Sequence, residues 1–483
     1  MTDPTKFRYD NNVPPAGLKP TVGKKPPRPD FSAQREVLKE QLKQVVSQPK
    51  KPKSSLFDLE LKHPAEGYED PMDNTTVNKY KMPLSEALQS PDMKSIKYGV
   101  IGLGQAGGRI AEQFWKFGYK AIAINTAEQD LAFLSFPNES KLHLPFSLGG
   151  AGKNQLIGQQ AAEANFDKIK EILVTITDID QLLVCVAGSG GSGAGSLVPV
   201  LQAISEIEPL IGLPISVIFA LPTQDEGAIA KSNAIKTLDR ISKMVNDSIL
   251  SALIIVDNAK IQQLYPDVSI ADFWKLANFD IVNHFNIFNT VSKCATNFEA
   301  LDPMDFANIV SSGGCLIYGR VEVEVEKDGE SFKFDEQALA EAIVQSASQS
   351  VLAEGFDTKQ AVSTGVIITG SEKVLAQLPA VQVNYAFNSL LDTVGSEATV
   401  YRGIYTDDTL DNKIIVYTIF SGLGLPSDRI NQLRSEAEQS LAKMEKPRVK
   451  LAVDTKTSTA DVYAQMKQRA TSLGRMVQKR GPR

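Results

Sequence analysis

From residue 97 onward, short apolar runs alternate with longer stretches in which apolar residues recur every three or four positions. This is the pattern of a parallel sheet covered by helices. Runs at 98–102, 121–124, 182–187, 215–221 and 253–256 are predicted strands, and 106–117, 155–173, 197–207 and 228–245 are predicted helices. Residues 270–291 hold the helical spacing for about six turns and predict one long central helix.

Beyond that helix the texture changes. Residues 314–326 (GCLIYGRVEVEVE) alternate apolar and polar positions as a half-exposed strand does. Strand-like runs at 362–369, 399–405 and 413–420 are separated by helical patterns at 336–352, 372–378 and 428–444. The expected fold class is α/β: a Rossmann-like parallel-sheet domain over 96–268, the central helix over 269–295, a second α+β domain over 296–424 and a C-terminal helix over 425–444.

The two ends break the pattern. Residues 1–95 hold 13 of the 25 prolines and little apolar periodicity beyond a helical fragment near 35–46, so a disordered arm is expected there. In residues 445–483, Val462, Met466, Leu473 and Val477 fall near one helical face, with Lys467, Arg469, Arg475, Lys479 and Arg480 on the others. A basic amphipathic helix is expected in this tail.

Charge sharpens that division. The formal net charge of the 483 residues is −6, but residues 1–53 carry +7 and residues 443–483 carry +8, which leaves −21 for the body between them. The ends, not the body, are suited to anionic partners. Cys185, Cys294 and Cys315 and His63, His143 and His284 are scattered without CxxC spacing, so neither a disulfide framework nor a His/Cys metal centre is expected. No apolar run approaches the roughly 20 residues that span a bilayer, and the N-terminus lacks a signal-peptide core. A cytoplasmic location follows as an expectation.

The chemistry is carried by glycine loops. Gly102-Leu103-Gly104-Gln105-Ala106-Gly107-Gly108 follows a predicted strand and opens a helix, so its backbone N–H groups are placed to hold a phosphate. Alone it is equally compatible with a dinucleotide fold, although Ile124 is followed by Asn125, Thr126 and Ala127 in place of a ribose-binding acid. A second cluster, residues 188–196 (GSGGSGAGS), lies between the strand LLVCVA and another helix. A third, residues 148–154 (LGGAGKN), starts a further helix, and no glycine loop ends in the Gly-Lys-Ser/Thr of a Walker A motif. Three such loops at successive strand-to-helix turns point to one nucleotide at the carboxyl edge of the sheet. A nicotinamide-dependent oxidoreductase would leave residues 188–195 unexplained.

With these motifs in this order the chain resembles the tubulin/FtsZ superfamily of GTPases over about residues 97–440. Gly104-Gln105-Ala106-Gly107 is similar to the tubulin first loop, LGGAGKNQLIGQQAAE to the FtsZ third loop, and SGGSGAG to the GGGTGTG signature. PTQDEG (222–227), IIVDNAKIQQLY and VYTIFSGLGLPSDRI resemble the TubZ-like branch, whose members move plasmid or phage DNA. The resemblance implies GTP or GDP with Mg2+ as cofactors. It assigns to the nucleotide Gly104, Gln105, Ala106 and Gly108, Asn125, Gly149, Gly150, Ala151 and Gly152, and Gly190, Gly191, Ser192 and Gly193. It further implies Glu226 at the ribose, Asn258 at the nucleoside, and Trp274 with Asn278 at the base, four residues apart on one face of the central helix. Phe273 is the competing aromatic.

The resemblance also implies that acidic residues after the central helix enter a neighbouring subunit's nucleotide site and orient the attacking water. The matching stretch, LDPMDFANI, aligns in two ways. Asp305-Phe306-Ala307-Asn308 fits the FtsZ Asp-Phe-Ala-Asp pattern with an amide in place of the second acid, whereas the TubZ-like match makes Asp302 and Asp305 the catalytic pair. Asp305 before Phe306 also reads as a helix N-cap. Departures are Ser189 for the first signature glycine, Ala127 for an acid after the second strand, and Ala259 and Lys260 beside the nucleoside Asn. The implied function is a GTP-hydrolysing homopolymeric filament in a bacterial or phage-infected cytoplasm, positioning DNA through the basic tail directly or by a DNA-bound adaptor. The alternative is an FtsZ-like division or other scaffold filament with weak or no GTPase activity.

Overall fold

The structure, a computed structural model, describes residues 80–444 except 147, 336, 349, 351 and 396. The helical fragment near 35–46, most of the basic arm and the tail helix of 445–483 lie outside the described residues.

Six parallel strands carry the first half: β1 (Tyr98–Leu103), β2 (Lys120–Asn125), β3 (Lys141–His143), β4 (Gln181–Ala187), β5 (Ile215–Leu221) and β6 (Ala252–Asp257). The second half adds β7 (Cys315–Glu324), an exposed two-stranded ribbon of β8 (Glu326–Asp328) and β9 (Ser331–Lys333), then β10 (Ser363–Gly370), β11 (Thr399–Thr406) and β12 (Lys413–Leu423). The halves share one ten-stranded sheet, ordered β11-β10-β12-β7-β6-β5-β4-β1-β2-β3. The junction is slender: β6 and β7 pair through Leu253 with Cys315 and Ile254 with Leu316. On the far side β12 is antiparallel to both β7 and β10, and β11 is parallel to β10.

Alternate residues of each central strand enter opposite cores, as a period of two requires. Leu182, Val184 and Val186 of β4 join one apolar cluster, and Leu183 and Cys185 the other. The first face is covered by α2 (Gln155–Ala164), α3 (Phe166–Leu173), α4 (Ser192–Ile204), α5 (Ala228–Asn246), α9 (Ala338–Ser348), α10 (Ala380–Val394) and α11 (Ser427–Met444). The second is covered by α1 (Gly104–Lys116), the short α6 (Asn258–Leu264), the central helix α7 (Ile270–Val291) and α8 (Pro303–Val310).

Most predicted elements appear within a few residues of their expected bounds, and the differences have local causes. The helix expected over 155–173 breaks at Asn165, whose backbone leaves the helical region and whose side chain donates to Ala161 O at 2.9 Å. The helix α10 went unread because Val381, Val383, Tyr385 and Phe387 carry strand-like propensity. Here tertiary packing overrides it: Ala386, Phe387, Leu390 and Val394 are buried against α9 and the sheet.

The disordered arm expected over 1–95 does not extend to its stated end. Residues 80–96 form a strap over the C-terminal half of α7, with Leu84, Ala87, Met93 and Ile96 buried. A polar network holds it: Asn289 bonds both the N–H and the C=O of Ile96, and Ala295 N–H donates to Tyr80 O. At its centre Lys94, 4% exposed, donates to Leu88 O (2.8 Å), Asn286 Oδ1 (2.7 Å) and Thr290 Oγ1 (3.1 Å). Composition hid this strap, because its partners lie nearly two hundred residues away.

Burial lowers the Lys94 pKa from 10.5 to about 7. The unfolded chain therefore binds a proton that the folded chain lacks between these values, so this group makes stability rise with pH from about 7 to 10.5. Lys94→Met removes that contribution. The expected result is a flatter stability curve than wild type across this window, read as unfolding midpoints at several pH values; parallel curves would refute it.

Among the described residues no helix is long and apolar enough to cross a membrane, and no group of three or more His, Cys, Asp or Glu side chains is placed to hold a metal ion.

Candidate functional site

The carboxyl ends of β1, β2, β4, β5 and β6 surround a cavity of about 520 Å³, where ligands of open parallel sheets bind. Two helices aim their N-termini into it. Both α1 and α4 begin without a side-chain cap and with no acidic residue in the first turn, so their leading N–H groups are free for an anion.

The glycine loops interlock before any ligand is considered. Gly104 has φ +70°, and a Cβ there would stand 2.9 Å from Gly193 N; a Cβ on Gly193 would stand 2.5 Å from Leu103 O. Small size is thus demanded by contact between the first and second loops, whereas Gly190 faces open space. Contact between the two loops accounts for Gly104 and Gly193 without any ligand.

Gly104, Gln105, Ala106, Asn125, Gly150, Ala151, Gly152, Gly190, Gly191, Ser192 and Gly193 all line the cavity. Glu226, Asn258, Trp274 and Asn278 line its other side. Trp274, not Phe273, is the aromatic at the wall; Phe273 packs edge-on against it at 4.9 Å.

Two assigned residues stand apart from the lining. Gly108 lies within α1 between the lining residues Ala106 and Arg109, and a Cβ there would instead meet Leu134 Cδ1 at 3.2 Å and Ala123 Cβ of β2 at 3.7 Å. Gly149 lies near the start of the third loop, at φ +86° with nothing within 4 Å of its Cβ position. The first is closely packed, and the second has the left-handed backbone that favours glycine.

The structure adds Asp130 and Lys153. Asp130 accepts from Gln105 Nε2 at 2.9 Å and Asn125 Nδ2 at 3.0 Å, orienting two of the assigned side chains. Asp130 follows Ala127 by three residues, one helical turn further on. Lys153 has φ +62° and reaches across to Glu226 at 3.6 Å, bridging the third loop and the sugar-side loop. With Arg109 it gives the cavity two cations.

Asn258 is held from behind. Its neighbour Asp257 ends β6, caps α6 through Ala259 N–H at 3.1 Å, and forms a bidentate ion pair with Arg429 of α11 (2.6 and 3.2 Å). Lys231 with Glu436 (2.7 Å) and Arg434 with Asp239 complete the ionic attachment of α11 to α5.

Asp302 and Asp305 are not part of this cavity's lining. They open α8, with Asp302 exposed and Asp305 half-buried. The N-cap is Asp302, not Asp305: its Oδ1 accepts from Met304 N–H (2.8 Å) and Asp305 N–H (2.9 Å), while Asp305 Oδ2 accepts from Asp302 N–H (3.0 Å). Pro303 occupies the first helical position, where its fixed φ suits the turn. This reciprocal capping box binds the two carboxylates into one rigid unit. Asn308, the amide of the other alignment, donates to Tyr401 Oη at 3.3 Å.

Residues 97–266 match the tubulin/FtsZ family GTPase domain, and residues 284–434 match the C-terminal domain of TubZ-like tubulin/FtsZ-like proteins; together they cover about two thirds of the chain. The chain is 28% identical over 332 residues to the tubulin-like protein CetZ of Pyrococcus abyssi, covering 67% of this chain and 85% of that protein. It is 25% identical over 389 residues to the tubulin-like protein TubZ of Bacillus thuringiensis subsp. israelensis, covering 71% and 77%. The fold superposes on a GTPγS-form protofilament structure of TubZ from that bacterium with a TM-score of 0.64 and 22% identity, over 74% of this chain and 95% of that one.

Proposed function

Because the chain belongs to the tubulin/FtsZ family and carries its GTPase domain, we propose that it binds GTP in the 520 Å³ cavity and hydrolyses it only when stacked copies complete the site. One observation carries this reading. The cavity is lined by three glycine loops and by Glu226, Asn258, Trp274 and Asn278, yet the acidic pair Asp302 and Asp305 is absent from its lining and stands at the start of α8. A second copy supplies the pair if the α8 surface docks over the first copy's cavity.

In this reading the N-termini of α1 and α4 and the loops at 104–106, 150–152 and 190–193 hold the phosphates. Glu226 meets the ribose, Asn258 the nucleoside, and Trp274 with Asn278 the base. The cavity's carboxylates, Asp130 and Glu226, are too few for a protein-built cage. They fit a Mg2+ held chiefly by phosphate oxygens and water, which would offset phosphate charge. Asp302 and Asp305 of the incoming subunit orient the water. The proposed division is a GTP-binding domain over 96–268 and an activation domain over 296–424.

The proposed role of the filament is to segregate or position DNA in a cytoplasm, with residues 445–483 as the contact to DNA or to a DNA-bound adaptor. It rests on the TubZ-like match at 284–434 and on the +8 charge of residues 443–483. An FtsZ-like division or other scaffold filament with weak or no GTPase activity is the second reading, favoured by the similarity to a cell division protein FtsZ 1.

Sedimentation of purified full chain with GTP, GDP and GTPγS tests assembly. Polymer that pellets with GTP and GTPγS, and phosphate release that rises more steeply than protein concentration, are the expected results. Release proportional to concentration through the assembly threshold would overturn the shared-site reading. Comparing DNA binding of the full chain with that of a chain ending at residue 444 tests the tail, and equal binding would remove the cargo assignment.

A further inference from the structure

The acidic pair hangs from a segment that belongs to the sheet edge. Residues 296–301 connect α7 to α8 and lie against β11, the outermost strand of the second half. Ile404 N–H donates to Glu299 O at 2.7 Å, Thr296 Oγ1 donates to Ile404 O, and Arg402 pairs with Glu299. One residue before Asp302 the attachment tightens. The buried phenol of Tyr405 accepts from Leu301 N–H at 2.9 Å and donates to Leu301 O at 2.8 Å, so one side chain satisfies both backbone groups of a fully buried residue.

Residues 401, 403 and 405 alternate onto one face of β11. Tyr401 reaches Asn308 on α8, and Gly403 leaves room for the loop, since a Cβ there would stand 3.0 Å from Leu301 N. Tyr405 closes the clamp. Building on the shared-site reading above, we infer that this face of β11 is a positioning device for Asp302 and Asp305, with Tyr405 its principal residue. Fixing the Leu301 peptide fixes where the capping box starts, and the box fixes both carboxylates. Tyr405 acts through Leu301 and touches neither nucleotide nor water.

The consequence is mechanical. The carboxylates are referenced to the second-half sheet, which meets the nucleotide-bearing strands through the short β6–β7 junction. A displacement near 1 Å at a reacting centre can cost about a hundredfold in rate, so a loosened clamp shows in turnover before it shows in assembly.

Tyr405→Phe keeps the ring and deletes both hydrogen bonds. The expected result is a fall of about tenfold in phosphate release per polymerised subunit, with GTP affinity and the yield of GTPγS polymer within about twofold of wild type. Unchanged release per polymerised subunit, or a fall no larger than the loss of polymer, would overturn the inference. Should Tyr405→Phe fail to fold by circular dichroism, Tyr401→Phe carries the test from the same face: a two- to threefold fall per polymerised subunit is expected, and no fall overturns it. Asp302→Asn is measured in parallel. Wild-type release from that variant overturns the shared-site reading itself, whereas impaired Asp302→Asn beside an unimpaired Tyr405→Phe overturns only the role of the clamp.

Discussion

Asp302→Asn is expected to lower phosphate release per polymerised subunit by about a hundredfold or more, the usual worth of a positioned acid or base, while leaving the chain folded and its filaments longer-lived. The separation is possible because Asp302 has two tasks with different chemical requirements. As N-cap it needs an oxygen that accepts from Met304 and Asp305 N–H, and an asparagine carbonyl supplies one equally well. As a water-orienting group it needs the negative charge, which the amide lacks. Asp302→Ala removes both functions and should also lose about 1 kcal/mol of stability. Turnover normalised to pelleted protein, together with filament lifetime after GTP is exhausted, checks the prediction. Equal turnover in the Asn variant and wild type would show that the carboxylate takes no part in hydrolysis.

Arg429→Met is expected to destabilise the protein by about 3–5 kcal/mol, because removing one partner of a buried ion pair leaves the other charge uncompensated. Asp257 is 4% exposed, and its own contact with Ala259 N–H is too little to replace a bidentate guanidinium. The damage extends to the cavity, since Asp257 caps α6 and precedes Asn258, which lines the cavity. GTP affinity should fall as well, and saturating GTP should restore part of the lost stability through binding to the folded state. The double variant Asp257→Asn/Arg429→Met should recover much of the loss, because no isolated charge remains. Urea unfolding with and without GTP measures each term. A loss below about 1 kcal/mol in Arg429→Met would mean that the pair is solvated and does not anchor α11.

The nucleotide cavity was legible because its parts are local. Strand, glycine loop and helix follow one another directly at 98–116 and 181–204, and a parallel sheet brings successive loops to the same edge. Trp274 and Asn278 were legible for a related reason: four residues on a helix define a face without help from the rest of the fold. Gly108 stands outside the lining although Arg109 and Ile110, which follow it in α1, belong to it, because successive residues of a helix turn to different faces.

What could not be read from the chain depends on contacts between distant segments. Nothing near Lys94 announces Asn286 and Thr290, so a proline-rich stretch passed for an arm when its last residues are a strap on α7. Nothing near Tyr405 announces Leu301, and nothing near Arg429 announces Asp257. The α/β class, the three loops and the acidic pair's place at a helix start follow from the residue pattern alone, because each is a matter of period, spacing or short-range hydrogen bonding. That both halves share one sheet, and that the pair stands outside its own subunit's cavity lining, emerged from the folded chain, because long-range packing sets the distance between elements that local pattern leaves free.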